Sequence, residues 1–344
     1  MTKTPLRAAS TALALALGLA APALAEDRPV ALIISQSGLG DQSYNDLAYA
    51  GFERALADTG LTGKTVESKE IVAQADEILR RASDAGFGLV LDLEYAHGDP
   101  IKTVAKDYPD TDYVILNQVV EGANISSIVF KEQEGSYLAG VLAAGMTMQT
   151  GVEGINDKPV LGVIGGTKSA GIDKFIVGFI EGARSVNPDI DVKVGYSNNF
   201  ADPAVGLQMA NAMFDEGADI IYHIAGGTGI GVIEAAKERG AFAIGVDTDQ
   251  DALAPGHVLT SMIKRGDVAV ERIVKDYAAG NFPAGKTIDL GLAEGAVGLS
   301  DMQYTKDIVP ADIMAKVDAA KAGILDGSIK VWDVLAQGEP DWFK

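Results

Sequence analysis

The chain has 344 residues, with 28 basic against 48 acidic side chains and a formal net charge of −20 at pH 7. That balance argues against nucleic acid and anionic membranes as partners, because both demand positive charge. The chain contains no cysteine, which removes disulfides, thiolate metal ligands, cysteine nucleophiles and a lipid-modified cysteine together.

In chain order, a targeting pattern comes first. Lys3 and Arg7 make a basic start, an apolar run spans Ala12 to Ala21, and Ala23-Leu24-Ala25 is a small-x-small cleavage site before Glu26-Asp27-Arg28. This order predicts a signal peptide over residues 1–25, cleaved on export, and a periplasmic protein without lipid anchor or membrane insertion. The apolar run is too short to span a bilayer, which takes about 20 residues. The rest of the chain is long enough to bury two cores without disulfides.

Strand and helix patterns then alternate. Val30–Ser35 is a short β-branched run, and Asn45 to Gly60 reads as a helix with Leu47, Gly51, Phe52 and Leu56 on one face. Lys64–Glu70 is a strand, Ala75–Ala85 a helix, and Leu89–Leu93 an apolar strand of the kind covered on both faces. Pro100–Tyr108 is helical, Tyr113–Leu116 and Ile125–Phe130 are strands, and Glu134–Met148 is an alanine-rich helix.

The pattern restarts at Val160–Ile164. A helix over Gly171–Arg184 follows, then the strand Val192–Tyr196, a helix over Pro203–Glu216 and the strand Asp219–His223. A helix over Ile230–Arg239 and the strand Phe242–Val246 complete this half. The tail carries a strand at Leu259–Ile263, helices over Gly266–Ala279 and Ile308–Ala322, and a Gly-rich stretch between them. The alternation implies βα units with right-handed crossovers, hence an α/β chain of two doubly wound parallel-sheet lobes. A tail with both strand and helix implies that the chain crosses between the lobes more than once, in a multi-stranded hinge. The expected lobes are 26–150 with part of 264–285, and 151–260 with part of 286–344.

In open α/β sheets, ligands bind beyond the carboxyl ends of the strands. The segments there read Ser35-Gln36-Ser37-Gly38, Glu94-Tyr95, Asn117-Gln118, Gly165-Gly166-Thr167, Asn198-Asn199-Phe200, Ala225-Gly226-Gly227-Thr228 and Asp247-Thr248-Asp249-Gln250. They are polar, small or aromatic. Catalytic sets are scarce. His97, His223 and His257 have no metal-ligand spacing and read as surface or strand-end residues. No G-x-S-x-G elbow appears. Gly162 to Ser169 fails as a phosphate loop, because Thr167 stands where a glycine is required. Asp247-Thr248-Asp249 lacks the later glycine and glutamate of a calcium loop. No enzyme, metal or cofactor is therefore expected.

Four segments carry a resemblance: Gly40-Asp41-Gln42-Ser43-Tyr44-Asn45 with Gly51; Glu134 to Gly140; Ile244 to Gln250; and Leu259-Thr260-Ser261 with Lys264. On these the chain resembles the basic-membrane-protein family of type I periplasmic binding proteins, which includes purine-nucleoside receptors. The resemblance implies the type I fold and a soluble monomer that feeds a small molecule to the permease subunits of an ABC importer. It implies an aromatic sandwich from Tyr44 and Phe200, and a hydroxyl-binding set of Asp247, Gly226 or Gly227, and Lys264. Ser35, Gln36, Asp41, Asn45, Asn117, Gly166 and Asp249 complete the expected ligand site. One departure is plain: the family's aspartate at the end of the first strand is replaced by Ser35-Gln36, which changes the donor pattern preferred. A purine nucleoside or related heterocycle is the leading ligand. A sugar, a flavin or another metabolite is the alternative, as is a sensor docking on a signalling receptor. A secreted α/β enzyme is the competitor from another class.

Overall fold

The computed structural model describes residues 28–344, so the signal-peptide expectation for residues 1–25 lies outside the described residues. Five strands build the first sheet: β1 (Val30–Ile33), β2 (Gly63–Val66), β3 (Leu89–Asp92), β4 (Asp112–Leu116) and β5 (Ile125–Phe130). Five more build the second: β6 (Val160–Gly165), β7 (Asp191–Tyr196), β8 (Ile220–Ile224), β9 (Phe242–Asp247) and β10 (Val258–Lys264). Then β11 (Thr287–Leu290) joins the first sheet beside β5, and β12 (Val297–Leu299) joins the second beside β10. The orders are β11-β5-β4-β3-β1-β2 and β12-β10-β9-β8-β6-β7, so each half is wound the same way.

Central strands are buried at every position, as sheets covered on both faces require. Along β1, Val30 and Leu32 enter one core while Ala31 and Ile33 enter another, because successive side chains point to opposite faces. The covering helices are α1 (Tyr44–Thr59), α2 (Ala75–Asp84), α3 (Gly98–Asp107), α4 (Glu132–Met146), α5 (Ala170–Val186), α6 (Pro203–Asp215), α7 (Thr228–Arg239), α8 (Gly266–Ala278), α9 (Ala311–Leu325) and the short α10 (Val334–Gln337). Among the described residues, no helix is long and apolar enough to cross a membrane.

Among the described residues, the chain passes between the lobes at three places. After β5 it enters α4, which packs on α5 and α9; after β10 it enters α8, which packs on α1; and residues 291–296 link β11 to β12. The α4–α5 contact is backbone on backbone. A Cβ at Gly140 would lie 2.0 Å from the Phe179 carbonyl oxygen, and one at Gly182 would lie 2.0 Å from that of Tyr137. Only glycine permits that approach.

The expected pair of doubly wound parallel-sheet lobes is what the structure has, with one antiparallel edge strand: β12 runs against β10, with Val297 opposite Lys264 and Leu299 opposite Met262. The reason is the route. The chain leaves β11 at the carboxyl edge of the first sheet and enters the second sheet at its carboxyl edge, so it must run against β10.

Candidate functional site

Each sheet reverses its winding beside its first strand, between β1 and β3 and between β6 and β8. Ligands in this architecture bind at such switch points. A cavity of about 250 Å³ lies there, lined from the first sheet by Ser35, Leu93 and Glu94 and from the second by Ile224, Ala225 and Gly226.

Two rings reach it from loops and helix starts. Tyr44 is the first residue of α1, and its hydroxyl donates to the Leu93 carbonyl at 3.3 Å while accepting from Asn117 Nδ2 at 2.9 Å. Phe200 comes from the turn between β7 and α6, which Asp202 caps by accepting from the N–H groups of Ala204 and Val205. Gly166 makes room for Phe200: a Cβ there would lie 2.1 Å from the ring. Phe175 and Tyr95 line the same cavity.

Asp247 closes β9, is 7% exposed, and has φ +68°. Asn117, after β4, has φ +71°. Both are strand-end residues in the left-handed region, where non-glycine residues are uncommon and which clusters at functional sites. Asp247 Oδ2 accepts from the Ser43 hydroxyl at 2.7 Å. Burial pushes Asp247 up to about 6, against the opposing pull of Lys264 and Ser43. Lys264 Nζ donates to Asn117 Oδ1 at 2.7 Å and pairs with Glu132 Oε1 at 2.9 Å. It also lies about 5 Å from the centres of the Tyr44, Phe130 and Phe175 rings. Burial alone would raise Glu132, but Lys264 and Lys174 outweigh it and hold the carboxyl below the usual range.

The first-lobe wall is built on Glu94. Its carboxylate accepts from the Gln36 backbone at 3.1 Å, from Gln36 Nε2 at 3.2 Å and from the Ala96 N–H at 3.0 Å. Beneath it, Asp92 Oδ1 accepts from the Glu94 N–H at 2.9 Å, and Asp92 Oδ2 lies 2.7 Å from His97 Nδ1. Thus Glu94 is held by a buried pair below the cleft floor.

Of the residues expected at the site, Ser35, Gln36, Tyr44, Asn117, Phe200, Gly226, Asp247 and Lys264 line the cavity together. Five others stand behind it. Asp41 accepts from the N–H groups of Ser43, Asn45 and Asp46 at the start of α1. Asn45 ties Ser35 to Ser37 and Gly38. Gly166 supports Phe200, Gly227 precedes α7, and Asp249 is exposed and accepts from the Asp251 N–H.

Sequence reading missed Glu132, because a helix-start glutamate looks like an ordinary cap; its place after β5 was the available signal. Gln250, read from the sequence as a strand-end position but not as part of the ligand site, joins the lobes: its Nε2 donates to the Gln42 carbonyl at 3.0 Å. His97 and His223 are buried rather than superficial. His223 Nε2 faces Gln250 Oε1 at 2.9 Å, and burial lowers this imidazole to about 4, so it is neutral. Lys168, in the loop that resembles a phosphate cradle, is instead directed to Asp173 and Glu339. Among the described residues, no cluster of three His, Asp or Glu side chains is placed to hold a metal.

Comparison with known proteins agrees with this architecture. The family model described as "ABC transporter substrate-binding protein PnrA-like" matches residues 29–333. A "CD4+ T-cell-stimulating antigen" of Listeria innocua is 36% identical over 89% of this chain and 88% of its own. An "ABC transporter nucleoside-binding protein BmpA" of Lactococcus lactis is 31% identical over 89% of each chain. Among solved structures, a solute-binding protein of an ABC transporter system from Aeropyrum pernix superposes with a TM-score of 0.80 at 27% identity, covering 89% of this chain and 93% of that one.

Proposed function

Because the chain belongs to the Bmp family of PnrA-like ABC transporter substrate-binding proteins, we propose that it captures a neutral, nucleoside-like molecule between its lobes. It then presents that molecule to importer permeases in the periplasm. The observation that carries this reading is the shared wall of Tyr44, Phe200, Asp247 and Lys264 around one cavity. Two rings offer a heterocycle stacking faces, each contact contributing roughly 0.5–1.5 kcal/mol beyond area. Asp247 offers acceptors to ligand hydroxyls, and Lys264 offers donors only.

The charge of the cleft sharpens the ligand class. Glu94, Glu132 and Asp247 are all nearly buried and line the cavity, with Lys264 as the lysine among its lining residues. An added phosphate would meet net negative charge in a desolvated site. A neutral, donor-rich ligand fits, and a nucleotide does not. The similarity to the nucleoside-binding protein of Lactococcus lactis supports the nucleoside class.

In this reading the first segment of the first lobe ends at Lys131, because α4 packs on the second-lobe helix α5, and α8 and β11 return to the first lobe. The test is calorimetry on ligand-free protein with inosine, 2′,3′-dideoxyinosine and hypoxanthine. Inosine should bind at least about tenfold more tightly than the other two, because a desolvated carboxylate left without its hydroxyl costs about 1–3 kcal/mol. Asp247→Ala should erase that preference. Equal affinity for all three sinks the ribose assignment. Mass spectrometry of small molecules that co-purify with the protein identifies the ligand directly.

A further inference from the structure

The stretch matched by the family model ends at Asp333. The residues beyond it nevertheless reach the cleft. Asp333 Oδ1 accepts from the Leu335 N–H at 2.9 Å, which caps α10 and fixes Leu335. Leu335 lines the cavity beside Thr167, Ser169 and Ile172, which belong to the turn before α5 and to α5 itself. It is 37% exposed, an apolar side chain with an incomplete cover. A ligand in the cavity would supply that cover and remove apolar area from water.

The segment is tied down along α5. The Trp332 N–H donates to Glu181 Oε2 at 2.9 Å, Glu339 pairs with Lys168 at 2.9 Å, and Arg184 lies 4.8 Å from the Trp342 ring centre. Lys168 also sits 5.1 Å from the Phe343 ring centre. Its chain neighbours Thr167 and Ser169 are cavity residues, so this anchor is continuous with the cavity wall. From the other lobe, Tyr95 lines the same cavity and comes close to Gly171 of α5, where a Cβ would lie 3.3 Å from its ring. The mouth thus receives one bulky side chain from the first lobe and one from the C-terminal strap.

We propose that residues 334–344 form a strap that sets the size of ligand the cleft accepts, with Leu335 as the specificity-determining residue. The proposal rests on the reading of this cleft as a small-molecule site. It requires that Leu335 contact the ligand and that the strap sense its arrival. The chain has two tryptophans, Trp342 within the strap and Trp332 just before it, so its tryptophan emission reports the strap and its entry.

The test uses the full chain, refolded to remove bound ligand, with inosine as the smaller probe and riboflavin as the larger. Calorimetry on Leu335→Ala should show the riboflavin-to-inosine affinity ratio raised at least about fivefold, and on Leu335→Trp lowered by a similar factor. Tryptophan emission of the unmutated chain should shift with the calorimetric midpoint. Unchanged ratios in both variants, or emission silent at saturation, overturn the strap. If inosine fails to bind while riboflavin binds, the nucleoside reading falls alone. The strap is then judged on riboflavin affinity, which must rise in Leu335→Ala and fall in Leu335→Trp. If neither binds, both readings fall.

Discussion

Ser43 of the first lobe donates its hydroxyl hydrogen to Asp247 Oδ2 of the second at 2.7 Å. The same hydroxyl lies 3.3 Å from the Val246 carbonyl. The two residues are far apart in sequence and meet only because the carboxyl edges of the sheets face each other. Ser43→Ala leaves a buried carboxylate one donor short, at a cost of about 1–3 kcal/mol to the closed arrangement. The expected outcome is a larger radius of gyration in ligand-free solution scattering and weaker ligand binding. Unchanged compaction and unchanged affinity together would show that the Ser43–Asp247 contact does not hold the lobes together.

Asp247 makes the stability of the ligand-free protein depend on pH. Its folded value, raised by burial to about 6, lies above the unfolded value near 3.8. The folded state therefore holds the proton more tightly. That contribution is fully present below the unfolded value and is lost as pH rises through the folded one. Asp247→Asn copies the neutral form, so it should be more stable than the unmutated chain at pH 8, by up to about 3 kcal/mol. The two should converge below pH 4. Denaturant titrations from pH 4 to pH 8 check this, and parallel profiles would contradict it.

Tyr44 and Phe200 are half-buried cavity residues rather than members of the deep core. Tyr44→Ala and Phe200→Ala should each weaken nucleoside binding about tenfold or more while shifting the melting temperature little. Gly166→Ala should act on Phe200 indirectly, because the added Cβ would fall 2.1 Å from its ring. A Gly166→Ala variant that binds normally would show that the ring's observed position is not required.

Glu94 is the acceptor-only group of the first-lobe wall, and Gln36 already supplies two of its donors. Glu94→Gln keeps the shape but turns one acceptor into a donor. It should reverse the preference between guanosine, whose ring edge donates from N1 and N2, and adenosine, whose N1 accepts. Paired calorimetric titrations read the ratio. An identical ratio in both proteins would place Glu94 outside base recognition and leave it as a support for Gln36.

The sequence by itself determined the layers. Short apolar runs such as Leu89–Leu93 and Phe242–Val246, bounded by turn residues and too short for helices, read as strands covered on both faces, and the helical stripes between them imply crossovers. Strand-end positions followed from that, which is why Ser35, Asn117 and Asp247 were legible as cleft residues. What the sequence did not hold was the relation between the halves. Whether Ser43 meets Asp247, whether Lys264 serves Asp247 or pairs with Glu132, and whether Leu335 returns to the cavity all depend on how two sheet edges face each other. Likewise Asp41 and Asn45 stand in the same motif as Tyr44, yet Asp41 points into the start of α1 and Asn45 into the turn of Ser35 to Gly38, while Tyr44 reaches the cavity. A motif lists neighbours along the chain, whereas orientation is fixed by the helix geometry and by the lobe packed opposite. The antiparallel β12 is of the same kind. Its direction is set by the edge at which the chain enters the second sheet, and no local residue pattern encodes that edge.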